Sequence, residues 1–319
     1  MNYKRTDLAL EAHEMLLEAA NELSGVTMTE EENDEVKISR IEIKTKEAEN
    51  AMGKPVGNYI TIEIPDVSLT LSESNEKISK AISKELSSLL NLSENSTILV
   101  VGLGNRFITP DALGPSVISK LMVTRHLFQY IPEEIDEGLR PVCAVAPGVL
   151  GLTGIETVEI IKGITDKIKP DAIIAIDALA ARNVKRIVST IQLADTGISP
   201  GAGVGNNRKG LNQEYLSVPV IAIGMPTVID AATITSDTID SLKKNMESPL
   251  GVIGSISHMD EDERYATIKK SLSDELLSFI VTPKNIDSLI DKASTIVAGG
   301  INLALHNNIT LEDAEAFLS

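Results

Sequence analysis

The chain has few large aromatic side chains: it contains no tryptophan, four phenylalanines and five tyrosines among 319 residues. Its core must therefore be built from isoleucine, leucine, valine and alanine, which suits helices packed closely on a sheet. Hydrophobic residues make up 43% of the chain, enough for one large α/β domain. This composition excludes fibrous and disordered classes of protein.

Cysteine and long apolar runs are also scarce. The single cysteine, Cys143, excludes an internal disulfide, and its position in the apolar run PVCAV predicts a buried core residue. The sequence has no stretch of about twenty apolar residues and no charged-then-apolar signal at its start. We therefore expect a cytoplasmic protein with no membrane partner.

Basic residues are outnumbered, since 29 lysines and arginines stand against 46 aspartates and glutamates, for a formal net charge of -17. This charge repels a phosphate backbone, and the sequence offers no basic patch or aromatic stacking motif of the kind that nucleic-acid binders use. We therefore predict no direct nucleic-acid partner.

The N-terminal part of the chain has a helical pattern followed by strand patterns. Apolar spacing predicts a helix within the first 24 residues, ended by Gly25, and the acidic residues 30–35 predict a solvated turn. The segments EVKISRIEIKT and NYITIEIP alternate with period two and predict an antiparallel pair of strands. Together they form an N-terminal β-rich elaboration, a small subdomain at about residues 35–66.

The rest of the chain alternates between helix and strand, which is typical of an α/β fold with a mostly parallel central sheet flanked by helices. Strands are predicted at 97–102, 142–146, 172–177 and 219–224. Helices are predicted at 76–90, from a capping box of Thr153 and Glu156 to about residue 169, at 261–278 and at 284–306. The glycine-rich segment 195–210 is predicted to be a loop over the sheet edge.

Two aspartates follow strand patterns. The segment ILVVGLGNRFITPDALGP begins like a nucleotide-binding turn, but it has Phe107 where the third glycine of that fingerprint would stand, and an acid, Asp111, soon after. A second acid, Asp177, ends the apolar run AIIAID. If the two strands are parallel neighbours, both carboxylates lie at one edge of the sheet. Two such acids can share a proton, so that one activates water while the other protonates a leaving group.

Other interpretations of these segments stay open. Asp111 can instead cap the helix that follows it. The glycines of VVGLGN and GAGVGN can instead bind a nucleotide in a protein without hydrolytic activity. The two acids can also hold a divalent cation through oxygen ligands. The four histidines form no metal-binding pair, so we predict neither a metal site nor a cofactor.

A series of long motifs runs along nearly the entire chain: RTDLALEAHE, GKPVGNYITIEI, VVGLGNRFITPDALGP, VTRHLF, PGVLGLTGIET, AIDALAAR, DTGISPGAGVGN, GMPTVIDA and VTPKNID. In composition and order they resemble the germination proteases of endospore-forming bacteria. The chain departs from that family between Asp240 and Val281, where the family usually has a longer polar insert.

The resemblance implies an endopeptidase of the spore cytoplasm that degrades small acid-soluble spore proteins when germination begins. It further implies a homotetramer and a fold similar to that of the hydrogenase-maturation endopeptidases, with a central sheet flanked by helices. The essential aspartates of the family fall in the motifs TPDALGP and AIDALAAR, which here are Asp111 and Asp177. The pair suggested by the strand pattern is therefore also the pair suggested by the resemblance.

The resemblance also implies a zymogen that removes its own N-terminal segment between an acid and an apolar residue. Here that pattern is Thr6-Asp7-Leu8-Ala9, so we expect cleavage between Asp7 and Leu8. The chain then consists of a pro-segment, 1–7, and a single protease domain, 8–319. The simpler interpretation of Thr6 or Asp7 is a helix N-cap.

A basic group should receive the acid of the substrate. The candidates, chosen by charge and by position in the motifs, are Arg106, Arg125, Arg182 and Arg208.

Overall fold

The computed structural model describes residues 6–18, 24–33, 36–64, 72–90, 92–93, 95–198, 210–245, 259, 261–272 and 279–318. Most of the predicted loop 195–210, with its GAGVGN segment and Arg208, lies outside the described residues. No helix in the described ranges combines the length and the apolar character needed to cross a membrane.

The strands are β1 (Val26–Glu32), β2 (Lys37–Ile43), β3 (Gly57–Glu63), β4 (Ile98–Gly102), β5 (Val142–Val145), β6 (Ala172–Ala180), β7 (Thr190–Ala194), β8 (Val220–Asp230) and β9 (Ile280–Val281). The helices are α1 (Ala9–Glu18), α2 (Lys46–Met52), α3 (Ser72–Leu89), α4 (Leu113–Ile118), α5 (Arg125–Tyr130), α6 (Leu150–Thr153), α7 (Thr157–Ile168), α8 (Gln213–Leu216), α9 (Ala231–Asn245), α10 (Glu261–Ser271), α11 (Ile286–Leu305) and α12 (Leu311–Leu318).

These strands form one mixed sheet in the order β1-β2-β3-β7-β8-β6-β4-β5, and β9 pairs with the end of β8. The half that contains β8, β6, β4 and β5 is parallel. In the other half, β1, β2, β3 and β7 pair antiparallel, and β7 joins this half to β8. The predicted N-terminal strand pair therefore exists, and it continues the main sheet instead of forming a sheet of its own.

Helices cover both faces of the sheet. On one face α3, α4 and α11 pack against alternate residues of the strands, such as Ile98 and Val100 of β4. On the opposite face α7 and α8 cover Leu99 and Val101 of the same strand, while α1 and α2 pack over β2 and β3. Because both faces are buried, the central strands are apolar at consecutive positions, which explains their continuous hydrophobic runs.

Several local predictions were wrong. The acidic residues 30–32 belong to β1, where Glu30, Glu31 and Glu32 pair with β2 instead of forming a turn. The capping box is absent, since Glu156 is the N-cap residue of α7 without a side-chain cap, and the Thr153 hydroxyl donates to the carbonyl of Ile155. Strand β7 was not predicted. Strands β6 and β8 run several residues past their predicted ends, and this extension shapes the site described below.

Replacing Ile174 with alanine should destabilise the fold strongly. Its side chain lies on β6 at the centre of the sheet and is fully buried. Loss of a buried isoleucine side chain costs about 2–5 kcal/mol of the free energy of unfolding, because it removes contacts and leaves a cavity. Urea unfolding measures this loss. Ile131→Ala, at a position where the isoleucine is 42% exposed, is the matched control and should change the free energy of unfolding by less than about 1 kcal/mol.

Candidate active site

A tight turn follows β4 and brings the chain back onto itself. Gly104 has a φ of +108°, and a Cβ atom built on it would lie 2.0 Å from the main-chain oxygen of Asp111. Only glycine tolerates both the backbone conformation and this close approach. The turn therefore places residues 109–111, which form a single turn of 3-10 helix, directly beside the end of β4.

This turn also fixes the side chain of Asp111. One carboxylate oxygen, Oδ2, accepts a hydrogen bond of 2.8 Å from the main-chain N–H of Asn105. The next helix, α4, has Ala112 as its N-cap residue and no side-chain cap. The alternative that Asp111 caps this helix is therefore wrong, and its carboxylate is held by the turn that precedes it.

The missing third glycine of the nucleotide-binding fingerprint has an equivalent later in the chain. A Cβ atom on Gly114 would lie 2.3 Å from the carbonyl oxygen of Leu103. In dinucleotide-binding proteins the third glycine allows the same close packing of helix against strand. Here the segment that carries Asp111 lies between the glycine turn and Gly114, so the strand-turn-helix geometry is retained with an acid inserted into it.

Asp177 lies inside β6 and not at its end, contrary to the sequence prediction. Strand β4 stops at Gly102, opposite Ile176, whereas β6 continues alongside β8 as far as Ala180. Asp177 is thus the first residue of β6 beyond the end of its neighbour. Its side chain is only 8% exposed, and Oδ1 accepts a hydrogen bond of 2.9 Å from the N–H of Ala178.

Both acids line one cavity of about 770 Å³ at this edge of the sheet. Its walls come from the glycine turn, the ends of β6, β7 and β8, the start of α6 and the N-terminal segment. Parallel neighbouring strands were the condition for bringing the two carboxylates together, and β4 and β6 are parallel neighbours.

Burial and mutual repulsion govern the ionisation of the pair. Burial, the Asp111 charge and the Asp7 charge raise the pKa of Asp177 well above its ordinary value of 3.8, against a smaller lowering by the N–H of Ala178. Burial also raises the pKa of Asp111, and the N–H of Asn105 opposes that shift. The more deeply buried acid, Asp177, therefore keeps its proton more readily than an exposed aspartate does.

The N-terminal segment enters the same cavity. The Asp7 carboxylate accepts a hydrogen bond of 2.9 Å from the N–H of Ala180, three residues beyond Asp177. The main-chain oxygen of Asp7 accepts hydrogen bonds from the ammonium of Lys54 and the side-chain amide of Gln192. The predicted processing site, Asp7-Leu8, thus lies beside the acid pair.

The sequence reasoning missed Lys54 and Gln192. Lys54 stands in the motif GKPVGN, which contributed to the family resemblance, but no spacing rule marked it as part of a site. Gln192 belongs to β7, the strand that was not predicted. A polar residue in an otherwise apolar segment, TIQLA, was the only signal for it.

Three of the four predicted substrate-binding arginines lie away from the cavity. Arg106, Arg125 and Arg182 are not among the residues that line the cavity. Arg125 is placed at the start of α5, where its guanidinium donates to Gln129, and the N–H of Arg182 donates to Glu11. Arg208 lies outside the described residues. A role of these arginines in substrate binding stays a prediction.

In the part of the chain that the structure describes, no three histidine, cysteine, aspartate or glutamate side chains gather as metal ligands. Asp111 and Asp177 supply carboxylate oxygens from two residues, fewer than the six to eight oxygen ligands typical of a calcium site, so water or substrate would have to complete the coordination of any divalent cation.

Comparison with known proteins identifies the class of enzyme. A family model described as Germination protease matches residues 5–250 and 243–318. Germination protease from Clostridium tetani is 50% identical over 99% of both chains, and that of Caldanaerobacter subterraneus is 46% identical over 98% of both. Germination protease from Bacillus cereus is 42% identical over 98% of this chain and 96% of its own length. These matches define the protein as a peptidase, a hydrolase. The chain belongs to the germination protease family.

The family model matches in two segments whose ends overlap at residues 243–250. The junction of the two segments falls within the region between Asp240 and Val281 that was predicted to depart from the family.

Among solved structures, a [NiFe] hydrogenase maturation protease, HycI from Thermococcus kodakarensis, is 16% identical to this chain. The match covers 61% of this chain and 99% of that protein, with a TM-score of 0.30.

Replacing Asp177 with asparagine should stabilise the protein at neutral and alkaline pH. Because the pKa of Asp177 is raised in the folded state, its contribution to stability is fully present below the unfolded value of 3.8 and is lost as the pH rises through the folded pKa. Asparagine carries no charge, so we expect Asp177→Asn to exceed the wild type in free energy of unfolding at about pH 8, with the difference shrinking toward about pH 4. Urea unfolding across this range measures it.

The control for this pH series is Asp313→Asn. The pKa of Asp313 is lowered by hydrogen bonds from Thr310, so its stabilising effect is present at neutral pH and is lost as the pH falls. The two variants should therefore shift stability in opposite directions at neutral pH. An Asp177→Asn variant no more stable than the wild type at about pH 8 would contradict the raised pKa.

Proposed function

We propose that this peptidase is an aspartic-type endopeptidase that degrades small acid-soluble spore proteins during germination, with Asp111 and Asp177 as its catalytic acids. One observation carries the proposal: the two carboxylates line one cavity, where burial and then the charge of Asp111 raise the pKa of Asp177. Two acids with unequal tendencies to ionise are suited to general acid and general base work.

In the proposed mechanism, Asp111 is the base and Asp177 the acid. Asp111 is only half-buried and its carboxylate is stabilised by the N–H of Asn105, whereas Asp177 is almost fully buried and favours the neutral form. Ionised Asp111 removes a proton from a water molecule, and the resulting hydroxide adds to the carbonyl carbon of the peptide bond. The C–N bond then breaks, and the proton of Asp177 passes to the departing amine. The proton taken up by Asp111 remains on the pair and restores its singly protonated state.

The proposal includes synthesis as a zymogen that cleaves itself between Asp7 and Leu8. The segment already lies at the cavity, and each residue of the pattern acid, apolar, small has its own environment there. The Asp7 carboxylate meets the N–H of Ala180, while Leu8 and Ala9 are completely buried. We further propose that the protein assembles as a homotetramer and is located in the spore core, as the family resemblance implies.

Replacing either acid with asparagine should abolish proteolysis. Loss of a general acid or base costs about 10²- to 10⁴-fold, so Asp111→Asn and Asp177→Asn should each lower the initial rate of cleavage of a purified small acid-soluble spore protein by at least about 100-fold. Gel electrophoresis and mass spectrometry of the fragments measure the rate.

Asp171→Asn is the matched control for both variants. Asp171 immediately precedes β6, at the end opposite Asp177, and its carboxylate accepts a hydrogen bond from the N–H of Thr97 outside the cavity. This variant should cleave the substrate at the wild-type rate. Full activity of Asp111→Asn or Asp177→Asn would overturn the acid-pair mechanism.

A metal-assisted mechanism that uses the same two acids is the second candidate, because carboxylates at a sheet edge are suitable ligands for a divalent cation. The acid-pair mechanism predicts that exhaustive dialysis against a chelator leaves the cleavage rate unchanged. Metal analysis of the dialysed protein by mass spectrometry accompanies the assay. A loss of activity that is restored by adding one divalent cation would favour the second candidate.

A further inference from the structure

We infer that Lys54 and Gln192 bind the carbonyl group of the Asp7–Leu8 bond and stabilise the negative charge that develops on its oxygen during self-cleavage. The inference rests on the proposed function and adds to it the groups that bind the reacting carbonyl. Neither Lys54 nor Gln192 belongs to the motifs TPDALGP and AIDALAAR that contain the two acids.

The ammonium of Lys54 is directed at the main-chain oxygens that precede the bond. Its Nζ lies 2.9 Å from the oxygen of Asp7 and 3.1 Å from that of Thr6. Lys54 follows Gly53, which ends α2 in the left-handed conformation, so its backbone position is set by a helix terminus. A positive donor at a carbonyl oxygen is worth most when that oxygen becomes an anion, as it does when water adds to the carbon.

Gln192 contacts the chain on both sides of the bond. Its Nε2 donates to the oxygen of Asp7 at 3.2 Å, and its Oε1 accepts from the N–H of Ala9 at 2.6 Å. One side-chain amide therefore holds the residue before the bond and the second residue after it. This double contact restricts the peptide to one register relative to β7.

The sheet aligns Gln192 with the acid pair. Gly224 of β8 is the register partner of Asp177 on one side and of Gln192 on the other. Register partners direct their side chains to the same face, and strands two apart are separated by about 10 Å. The side chain of Leu179 lies over Gly224, since a Cβ atom built there would be 2.4 Å from Leu179 Cδ1. Asp177 and Gln192 therefore lie on the same face of the sheet, with Leu179 over the glycine that separates them.

The acid of the cleavage pattern is recognised by the main chain. The Asp7 carboxylate accepts from the N–H of Ala180, and the N–H of Asp7 lies 3.4 Å from the oxygen of Ala180. An acid at this position thus gains a donor at the extended end of β6 without an arginine. The acid side chain of Asp7, its carbonyl oxygen and the N–H of Ala9 thus each have a partner, and Asp7, Lys54, Gln192 and Ala180 line the cavity of Asp111 and Asp177.

Self-cleavage of the full chain tests the inference. Mass spectrometry of the intact protein follows the loss of residues 1–7 with time. Removing one donor from such a carbonyl-binding site costs about 10²- to 10³-fold, so Lys54→Met and Gln192→Glu should slow self-cleavage by that factor. Gln192→Glu keeps the acceptor for Ala9, removes the donor and adds an acidic group, so the neutral variant Gln192→Met, which should slow self-cleavage as well, accompanies it. Lys54→Arg, which retains a cationic donor, should recover part of the rate.

Lys120→Met is the matched control, because Nζ of Lys120 also binds a main-chain oxygen, that of Asp291, at 2.8 Å, but outside the cavity. It should be processed at the wild-type rate.

Hydrogen exchange of the Ala180 N–H distinguishes a loss of charge stabilisation from a loss of binding of the N-terminal segment. This N–H donates to the Asp7 carboxylate, so its protection reports whether the segment is bound. We expect slow cleavage in Lys54→Met with Ala180 still protected.

Two results would overturn the inference while the proposed function stands: wild-type rates in Lys54→Met and Gln192→Glu, or a slowing that merely follows the loss of Ala180 protection. The second result would make both residues anchors of the segment. A wild-type chain that digests small acid-soluble spore proteins but never cuts the Asp7–Leu8 bond would overturn self-cleavage and this inference together. Failure of the wild type to cut any of these substrates would instead reject the proposed function.

Discussion

The site depends on the burial of Asp177 in a cavity that it shares with a second carboxylate, Asp111. Burial disfavours the charged form of Asp177, and the charge of the half-buried Asp111 adds to this effect, so two negative charges there would be costly. The pair therefore favours a single proton, held by Asp177. In the proposed mechanism, this inequality defines which acid accepts a proton and which donates one.

The mixed sheet creates this arrangement through unequal strand lengths. Because β4 ends at Gly102 while β6 and β8 continue, Asp177 lies at an internal edge where the glycine turn can bring Asp111 close. The antiparallel half of the sheet supplies the opposite wall through Gln192 on β7. The parallel strands place the two acids at one edge of the sheet. The antiparallel strand β7 adds Gln192, which binds the N-terminal segment beside them.

The sequence was sufficient to predict that Asp111 and Asp177 lie at one edge of the sheet, next to two parallel neighbouring strands. Continuous apolar runs such as AIIAID predict buried strands, and an acid within one is costly without a partner or a task. Gln192 and Lys54 were not predictable in this way, because their role arises from the register of β7 beside β8 and from the end of α2, both set by tertiary packing. The turn predicted for residues 30–35 was wrong at Glu30 to Glu32, because cross-strand pairing with β2 outweighed the local preference of glutamate for solvent.

The coupling between the two carboxyl groups can be measured directly by carbon-13 NMR titration of labelled aspartate side chains, with Asp177 and Asp111 assigned from the asparagine variants. The account predicts that the pKa of Asp177 lies well above 3.8 in the wild type and falls when Asp111 is replaced by asparagine. An Asp177 carboxyl group that titrates at its ordinary value, or whose pKa does not respond to the loss of Asp111, would contradict the shared proton on which the proposed chemistry depends.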